Sequence, residues 1–550
     1  MKQTHFLQHA GCTRCGKQNP SGVFPDGCSS CPKIETGIES FALAGKKILL
    51  ALLLVPAFIF VSGQNSFREK NLIYHDEKID LIESYLNLCL LVDSTIDKAA
   101  YYKEVNIMCR EVEKTIEGYK TPHELVEKLN NYLFVTKGFK YDPYANKYLF
   151  GTKAEKAEVI KLEINERDFI LLPSVLKRRE GICSSLSMLF LVIAYQLQLP
   201  IYAVIVPRHE FVRYDDGTTS FNIETTDDGK EYSDDYYRIN IVGKNKGSIY
   251  LKNLDNAQAI GIFSSDIGNV LMEEKRYSQA VKFFSLSIEI NPALALAYES
   301  RGNAKSDLYD YCGAIEDYNK AIDINPMYAE AYDNRGLAKI NLHDYAGAIE
   351  DCNKAIDINP SYARAYSNRG NAKYVLHDYA GAIEDCNKAI EISPKDAEVY
   401  YNRGNTKRYL HDYNGAIEDY NTAIEIKPED AEANYIRGVV KAYLHDYAGA
   451  IEDYSKAIEI NPGYIDAYYN RGNAKYSLQN YNDAIKDWDK AIEINPKYSK
   501  AYNNRGLVKF KLGDYAGAIV DYDKALEIDP DYSRASQNKA EAVAKQKEEK

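Results

Sequence analysis

Apolar residues recur at helical spacing along residues 183–197, and alternating patterns follow directly after them. Between Leu186 and Leu197 the apolar positions fall three or four residues apart, which predicts a helix with a buried face that begins at Cys183. Pro200 ends this pattern. The next segments, "IYAVIV", "HEFVRY" and "TSFNIET", predict three strands, with "DDG" as the hairpin turn between the second and the third. A cysteine therefore stands at the start of a helix that leads into a small antiparallel sheet.

A second pattern, "ILLALLLVPAFIFV" at residues 48–61, is apolar throughout. No residue from Ile48 to Phe67 is charged. Because a helix of about 20 apolar residues spans a bilayer, we expect one transmembrane helix over residues 46–66. A buried core helix and a late signal peptide are the alternatives, but the long segment that precedes it suits neither.

The second half of the chain repeats every 34 residues, with glycines, alanines and prolines that each keep this step. The prolines are Pro292, Pro326, Pro360, Pro394, Pro428, Pro462, Pro496 and Pro530. Small residues let two helices cross closely, so each unit predicts a helix pair. Such a pair must stack on its neighbours to bury its apolar face, which predicts an all-α solenoid.

This period, with small residues at the helix crossing and a closing proline, resembles the tetratricopeptide repeat. The resemblance implies eight repeats over residues 261–532 and a capping helix over residues 533–550. In this family the first helix of each pair lines a concave groove. Side-chain amides donate and accept, so asparagines there suit the backbone of an extended peptide or protein partner. The candidate peptide-binding residues are Asn303, Asn334, Asn368, Asn371, Asn402, Asn405, Asn470, Asn473 and Asn504.

The alternative for these asparagines is a duplicated template whose amides only meet water. An arginine ladder, from Arg335 to Arg505, keeps the same step, and its members either pair with acids or line the groove. Cys352 and Cys386 stand where other repeats have an aromatic residue, so we interpret them as core residues.

The charge balance limits the classes of ligand. A net charge of -12 and the absence of a long basic run argue against a nucleic-acid groove. The sequence contains neither a phosphate-binding loop nor a dinucleotide fingerprint, which argues against nucleotide binding.

Four of the ten cysteines lie in "CTRCGKQNPSGVFPDGCSSC" at residues 12–31. Two C-x-x-C pairs suit tetrahedral zinc, so Cys12, Cys15, Cys28 and Cys31 predict a structural zinc ribbon over residues 1–40. Two disulfides or idle thiols are the alternative. Because reduced thiolates persist in the cytosol, we expect the N-terminus inside and the main body outside a membrane that the chain crosses once.

A cysteine nucleophile needs a base, and the base needs a residue that orients it. Outside the zinc motif and the repeats, the histidines are His75, His123 and His209, and His209 stands at the head of a predicted strand. Glu224 follows across the hairpin, on the adjacent strand. Cys183, His209 and Glu224 are therefore the candidate catalytic residues.

A cysteine at a helix start, a histidine on a strand and an acid on the next strand resemble the transglutaminase-like, papain-like cysteine fold. The similarity is closest to its SirB-type branch, in which a bacterial domain of this kind is often joined to tetratricopeptide repeats. It implies an α+β domain over residues 75–250, with Cys183 as nucleophile, His209 as general base and Glu224 orienting the histidine. Glu224 stands where transglutaminases proper carry Asp.

Two hypotheses follow for the whole chain. The first is a membrane-anchored cysteine hydrolase or transamidase with a Cys-His-Glu triad, without a catalytic cofactor, whose solenoid presents a polypeptide substrate or partner. The second is a non-catalytic scaffold, in which the solenoid recruits protein partners to the membrane and the α+β domain is inert.

Overall fold

The computed structural model describes residues 80–142, 171–206, 209–242 and 250–548. The predicted zinc ribbon and the predicted membrane anchor lie outside these residues. Within the described ranges, no helix is both long and apolar enough to cross a bilayer. The same ranges contain no group of three or more His, Cys, Asp or Glu side chains placed to hold a metal ion.

Residues 80–142, 171–206 and 209–242 form an α+β region that contains two small sheets, as the sequence predicts. Its helices are α1 Leu81–Val92, α2 Lys98–Ile116, α3 Pro122–Asn130, α4 Leu172–Arg178, α5 Cys183–Leu197 and α6 Asp234–Tyr237. A π-helical turn, Asn131–Thr136, follows α3, and another, Arg238–Val242, follows α6. Its strands are β1 Lys140–Tyr141, β2 Glu180–Gly181, β3 Ile201–Val206, β4 His209–Asp215 and β5 Ser220–Ile223. The α5 helix and the strands β3 to β5 agree with the sequence prediction.

The strands β3, β4 and β5 form an antiparallel sheet in chain order. Val206 pairs with His209 where β3 passes into β4, and Val212 pairs with Ile223 across the hairpin. The α5 helix packs on β3 and β4, and every residue from Cys183 to Ala194 is buried. Such burial explains the near-continuous apolar composition of α5, since a helix enclosed on most sides needs few polar positions.

The short strand β1 lies parallel to β2, and this pairing brings a distant segment next to Cys183. Tyr141 pairs with Gly181, and the Asp142 amide donates to the Gly181 carbonyl at 2.9 Å. Gly181 lies two residues before Cys183, so β1 borders the N-terminus of α5. A Cβ at Gly181 would come within 2.6 Å of Ser185 Oγ, which explains the glycine there.

Residues 256–548 form a stack of helix pairs, with one further helix at its end. The helices are α7 Asn256–Glu273, α8 Tyr277–Ile290, α9 Ala295–Asp307, α10 Tyr311–Ile324, α11 Ala329–Asn341, α12 Tyr345–Ile358, α13 Ala363–Val375, α14 Tyr379–Ile392, α15 Ala397–Tyr409, α16 Tyr413–Ile426, α17 Ala431–Tyr443, α18 Tyr447–Ile460, α19 Ile465–Ser477, α20 Tyr481–Ile494, α21 Ser499–Lys511, α22 Tyr515–Ile528 and α23 Ser533–Glu548. Each helix contacts its neighbours along the chain. The stack therefore has the eight pairs and the closing helix that the period predicts.

Each helix pair has a glycine in its first helix at the point where the second helix crosses it, for example Gly336 and Gly472. A Cβ on Gly472 would lie 2.6 Å from Trp488 Nε1, whereas a Cβ on Gly336 would lie 3.3 Å from the smaller Cys352. Cys352 is fully buried, which confirms that it fills the core in place of an aromatic ring.

Each repeat from α9 onward holds a buried aspartate between two cations, which settles what the arginine ladder does. Arg335 donates from Nε and Nη2 to Asp351 at 2.9 and 2.5 Å, and Lys339 Nζ lies 2.8 Å from the same carboxylate. Seven such clusters occur among residues 295–532. The arginines are Arg301, Arg335, Arg369, Arg403, Arg437, Arg471 and Arg505. They pair with acids, and this ties the two helices of each repeat together.

Candidate active site

Cys183 is the first residue of α5 and is 3% exposed. The preceding turn is fixed by Ser185, whose Oγ accepts from the Ile182 amide at 2.9 Å and donates to the Ile182 carbonyl at 3.1 Å. The predicted nucleophile therefore stands at a helix N-terminus whose first turn is fixed by hydrogen bonds.

His209 opens β4 and bridges the other two predicted residues. Its Nε2 donates to Glu224 Oε2 at 2.7 Å. Cys183 lies close enough to the His209 side chain that its interaction with the imidazole raises the pKa of His209. The structure thus brings Cys183, His209 and Glu224 together in the order that a cysteine triad requires.

Glu224 directly follows β5 and is held by four donors. Its Oε2 also accepts from the Tyr237 hydroxyl at 2.8 Å. Its Oε1 accepts from the hydroxyl and the amide of Thr226 at 2.7 and 3.0 Å. Burial raises the pKa of Glu224, but the hydrogen bonds from His209 and Thr226 together lower it by more than burial raises it. The net pKa of Glu224 therefore lies below its usual value. The carboxylate stays charged and its orientation is fixed from both sides.

The electrostatics of His209 favour the imidazolium form. Burial lowers its pKa, but hydrogen bonds and charge attraction from Cys183 and Glu224 outweigh burial and raise the pKa to about 10. A thiolate and an imidazolium are the resting forms of a cysteine nucleophile with its base. Such a pair can attack a carbonyl carbon and return the proton to a departing amine.

Several residues near this site were not singled out from the sequence. Tyr237 and Thr226 hold Glu224, and Ser187 Oγ hydrogen-bonds Thr225 Oγ1 at 3.1 Å, which ties α5 to the segment after β5. Tyr141 lies close enough to Cys183 and Glu224 that, after burial, their charges raise its pKa well above the usual range. Thr225 and Thr226 directly follow Glu224 in the sequence, and this adjacency is the one sequence feature that could have indicated their place near the site.

Family models match both parts of the chain. A model described as the transglutaminase-like superfamily matches residues 163–261, which include all three triad residues. Models of the tetratricopeptide repeat match residues 265–294, 310–342, 342–376, 363–396, 397–430, 442–479, 472–513 and 499–532. A transglutaminase-like domain precedes a tetratricopeptide-repeat array. This agrees with the two resemblances inferred from the sequence.

Solved structures similar to the chain include three repeat proteins. MamA is 29% identical, with 31% of this chain and 94% of that chain covered and a TM-score of 0.30. YrrB, titled a TPR protein with an unusual peptide-binding site, is 27% identical, with 34% and 96% covered and a TM-score of 0.31. A tetratricopeptide repeat protein from Parabacteroides merdae is 17% identical, with 45% and 98% covered and a TM-score of 0.33. No curated protein matches the chain.

The asparagines of the repeat array bond mainly between neighbouring repeats. Asn334 Nδ2 donates to Glu299 at 2.6 Å and to Asn303 Oδ1 at 3.0 Å. Arg364 Nη2 then donates to Asn334 Oδ1 at 2.5 Å. Asn368 Nδ2 donates to the fully buried Asp333 at 2.9 Å. These three repeats are therefore joined through the same amides that were predicted to bind a peptide.

The later repeats use their asparagines in a similar way. Asn504 Nδ2 donates to Tyr469 and to Asn473 Oδ1, at 3.1 and 2.9 Å, and Asn470 Nδ2 donates to the Tyr435 hydroxyl at 2.9 Å. Three candidate asparagines differ from these. Asn405 Oδ1 accepts from the Tyr420 hydroxyl at 2.8 Å. Asn371 and the Nδ2 atom of Asn402 have no hydrogen-bond partner within the described ranges. Six of the nine candidate asparagines therefore join neighbouring repeats, and the role of the set in peptide binding stays a prediction.

Proposed function

We propose that the protein is a thiol acyl-transfer enzyme that hydrolyses or transamidates amide or peptide bonds. The observation that supports this proposal is the placement of His209 between Cys183 and Glu224. The Cys183 thiolate attacks the substrate carbonyl carbon and forms a C–S bond. His209 gives its proton to the amine as the C–N bond breaks, which leaves a thioester. Water or a second amine then attacks the thioester carbon, His209 accepts the proton of that nucleophile, and the C–S bond breaks to release the Cys183 thiolate.

The repeat array is proposed to bind the polypeptide substrate or a protein partner. Tetratricopeptide repeats suggest protein or peptide binding. YrrB, described as a TPR protein with an unusual peptide-binding site, is a precedent for peptide binding by this type of repeat.

The N-terminal features remain part of the proposal on sequence grounds alone. Residues 46–66 would anchor the protein in a membrane, with the N-terminus cytoplasmic and the main body outside. Cys12, Cys15, Cys28 and Cys31 would hold one structural zinc ion, because four thiolates complete its tetrahedral shell. Zinc analysis of the purified chain before and after replacement of Cys12 and Cys15 with serine tests the metal assignment.

The test of catalysis compares two thiols of one chain. Cys183 is almost fully buried, whereas Cys312 in the repeats is exposed. An aryl ester that acylates thiols, used at pH 6 with peptide-level mass spectrometry, should label Cys183 at least about tenfold faster than Cys312. Replacing His209 with Gln should abolish this preference and leave Cys312 labelling unchanged. Labelling of Cys183 no faster than that of Cys312 would reject the enzyme.

The scaffold hypothesis has its own supporting observation, since a sulfur that is 3% exposed offers little room for a substrate carbonyl. In that case the contacts among Cys183, His209 and Glu224 would stabilise the domain and would not catalyse a reaction. The same experiment separates the two, because an inert site would leave Cys183 unlabelled while Cys312 reacts.

A further inference from the structure

A hydrogen-bonded rung between the first helices of successive pairs recurs along the repeat array. In each rung an asparagine amide donates to a side chain 35 residues earlier, on the preceding first helix. Asn368 on α13, for example, donates from Nδ2 to Asp333 on α11 at 2.9 Å. The other rungs join Asn334 to Glu299, Asn470 to Tyr435, Asn504 to Tyr469 and Asn538 of the closing helix α23 to Asn503, at 2.6, 2.9, 3.1 and 3.0 Å. Every acceptor in these rungs has a side chain at least as long as that of asparagine or aspartate.

Three positions in this series have no such rung, and one of them keeps its donor. Ser300 and Ile436 stand where two of the asparagines would be, so these two positions lack the amide. At the third position Asn402 on α15 has the amide, but the residue 35 positions earlier is Ser367 on α13, whose side chain is shorter than any acceptor in the rungs. The Nδ2 atom of Asn402 is buried and has no hydrogen-bond partner within the described residues. Because a buried donor without an acceptor is unfavourable, an acceptor that a ligand brings to this position would be stabilised.

Asn371, one turn after Ser367 on α13, is a second amide that the protein leaves unused. Residues four apart lie on the same face of a helix, so Asn371 and Ser367 share one face of α13. In an earlier repeat the equivalent Asn303 donates to Glu299 at 2.7 Å. Asn371 has no hydrogen-bond partner in the described part of the chain, and it is partly exposed. The two unused amides, those of Asn371 and Asn402, therefore lie on neighbouring first helices that contact each other.

Arg408 adds a positive charge on α15, six residues after Asn402. Arg403 and Lys407 of the same helix both pair with Asp419, at 2.6 and 2.9 Å. Among the residues that the structure describes, Arg408 has no ion pair, and its Nε atom is buried without a hydrogen-bond partner. A guanidinium without a counter-ion favours a carboxylate, to which it can donate two parallel hydrogen bonds. The other repeats have uncharged residues at this step, namely Met272, Ser306, Ile340, Tyr374, Ala442, Tyr476 and Phe510.

These groups are accessible to a ligand. The side chains of Asn371, Asn402 and Arg408 are each partly exposed, although the Nδ2 atom of Asn402 itself is covered. The last torsion of an asparagine side chain is soft, so rotation about it turns Nδ2 toward a ligand at little cost. The three side chains thus present two amide donors and one charged donor on adjacent helices, which selects a ligand that brings acceptors and a negative charge.

We propose that Ser367, Asn371, Asn402 and Arg408 form a site for an acidic side chain of an extended peptide. The inference rests on the proposed role of the array in binding polypeptide, and it narrows the nine candidate asparagines to two. The carboxylate of an Asp or Glu in the peptide pairs with Arg408, and a backbone carbonyl of the peptide accepts from Asn402, where the rung is missing. Because first helices continue on both sides of α13 and α15, a peptide that follows them passes through the site, so the carboxylate is that of a side chain and not of the chain end.

Isothermal titration calorimetry of the full chain tests the site with two octapeptides that are blocked at both ends. One alternates alanine with glutamate, and the other alternates alanine with glutamine. The glutamate peptide should bind at least about tenfold more tightly, because its carboxylate makes charge-assisted hydrogen bonds that an amide cannot make. Arg408→Met keeps an apolar stem and removes the charge, so it should reduce the affinity for the glutamate peptide to that for the glutamine peptide.

Ser367→Asp supplies the missing acceptor from within the chain. An aspartate at this position corresponds to Asp333 of the preceding repeat, which accepts from Asn368. It should therefore bond to Asn402 and place a negative charge in the site. This variant should bind the glutamate peptide at least about tenfold more weakly while its melting temperature rises. A loss of binding combined with a gain in stability cannot result from misfolding.

Asn470→Ala is the matched control, because the Asn470 amide already bonds to Tyr435 at 2.9 Å. This variant should keep the affinity of the parent protein for the glutamate peptide. Melting temperatures of all variants establish that they fold. A fall in affinity in Asn470→Ala equal to that in Arg408→Met would contradict a local site.

Equal affinities of the parent protein and Arg408→Met for the glutamate peptide would overturn the inference, as would unchanged binding by Ser367→Asp. A third peptide, with alanine and glutamine and a free C-terminus, tests the source of the carboxylate. If it binds as tightly as the glutamate peptide, the site holds a chain end and the side-chain assignment is wrong. If none of the three peptides binds the parent protein, the proposed peptide binding by the array fails as well, whereas a peptide that binds all variants equally rejects this site alone.

Discussion

The repeated Arg–Asp–Lys cluster makes a strong prediction about what holds each repeat together. In the fourth repeat, Asp385 on α14 is 2% exposed. It accepts from Arg369 Nε and Nη2 at 3.0 and 2.6 Å, and Lys373 Nζ lies 2.8 Å away. Both cations come from α13, so the carboxylate joins the two helices of the pair. Replacing Asp385 with Ala removes the shared acceptor and leaves two cations facing each other.

The expected loss in the free energy of unfolding of Asp385→Ala follows from the burial of this carboxylate and its two cations. Removing one partner of a buried ion pair costs about 3–5 kcal/mol, because the other charge stays desolvated without compensation. The Arg369 and Lys373 side chains are 18% and 20% exposed, so each can reach some water after the change. We therefore expect the lower end, about 3 kcal/mol.

The same helix supplies a matched control. Glu391, also on α14, lies 2.7 Å from Lys388, and these side chains are 69% and 54% exposed. A surface pair of this kind contributes up to about 0.5 kcal/mol, so Glu391→Ala should barely change stability. Both variants remove one carboxylate from the same helix, one buried between two cations and the other exposed beside a single lysine.

Urea unfolding, combined with hydrogen exchange of α13 and α14, measures the difference. Repeat arrays unfold by units, so exchange protection localises the loss to the altered repeat and its neighbours. If Asp385→Ala and Glu391→Ala lower the free energy of unfolding within about 0.5 kcal/mol of each other, burial of the cluster does not stabilise the repeat and the reasoning is wrong.

Two further predictions concern the site and the helix crossings. The pKa of His209 is raised from 6.5 to about 10, so its contribution to stability is complete below pH 6.5 and disappears as pH rises through about 10. The pKa of Glu224 is lowered from 4.5, so its contribution to stability disappears as pH falls below 4.5. The melting temperatures of the parent and His209→Gln should therefore differ most between pH 4.5 and 6.5 and converge above pH 10; a constant difference would contradict the ion pair. Gly472→Ala forces a Cβ to within 2.6 Å of Trp488 and should destabilise by about 1–3 kcal/mol, whereas Gly336→Ala, with its nearest atoms at 3.3 Å, should cost clearly less. Equal losses in thermal unfolding would show that the crossing distance does not limit the side chain.

The sequence predicts the triad because each member marks its own element. Cys183 starts a helical pattern, His209 heads a strand, and Glu224 follows across a hairpin, so secondary structure alone brings them near one another. The role of the arginine ladder stayed open, because without coordinates its members fitted pairing with acids and a position in the groove equally well.

Other contacts could not be inferred because they depend on how elements pack. Tyr237 reaches Glu224 from a short helix with no periodic pattern. The asparagine ladder gives the clearest case: the sequence shows amides at fixed intervals, but whether they face a peptide or the next repeat depends on the stacking of the helices.

The position of α7 also explains how the array can end without exposing an apolar face. The terminal repeats of a solenoid lack one neighbour and need a polar cap. At the C-terminal end α23 is such a cap, with Ala535 and Ala542 buried and mostly polar residues elsewhere. At the N-terminal end the transglutaminase-like domain covers α7 through α1 and β3. The domain therefore caps the array at this end.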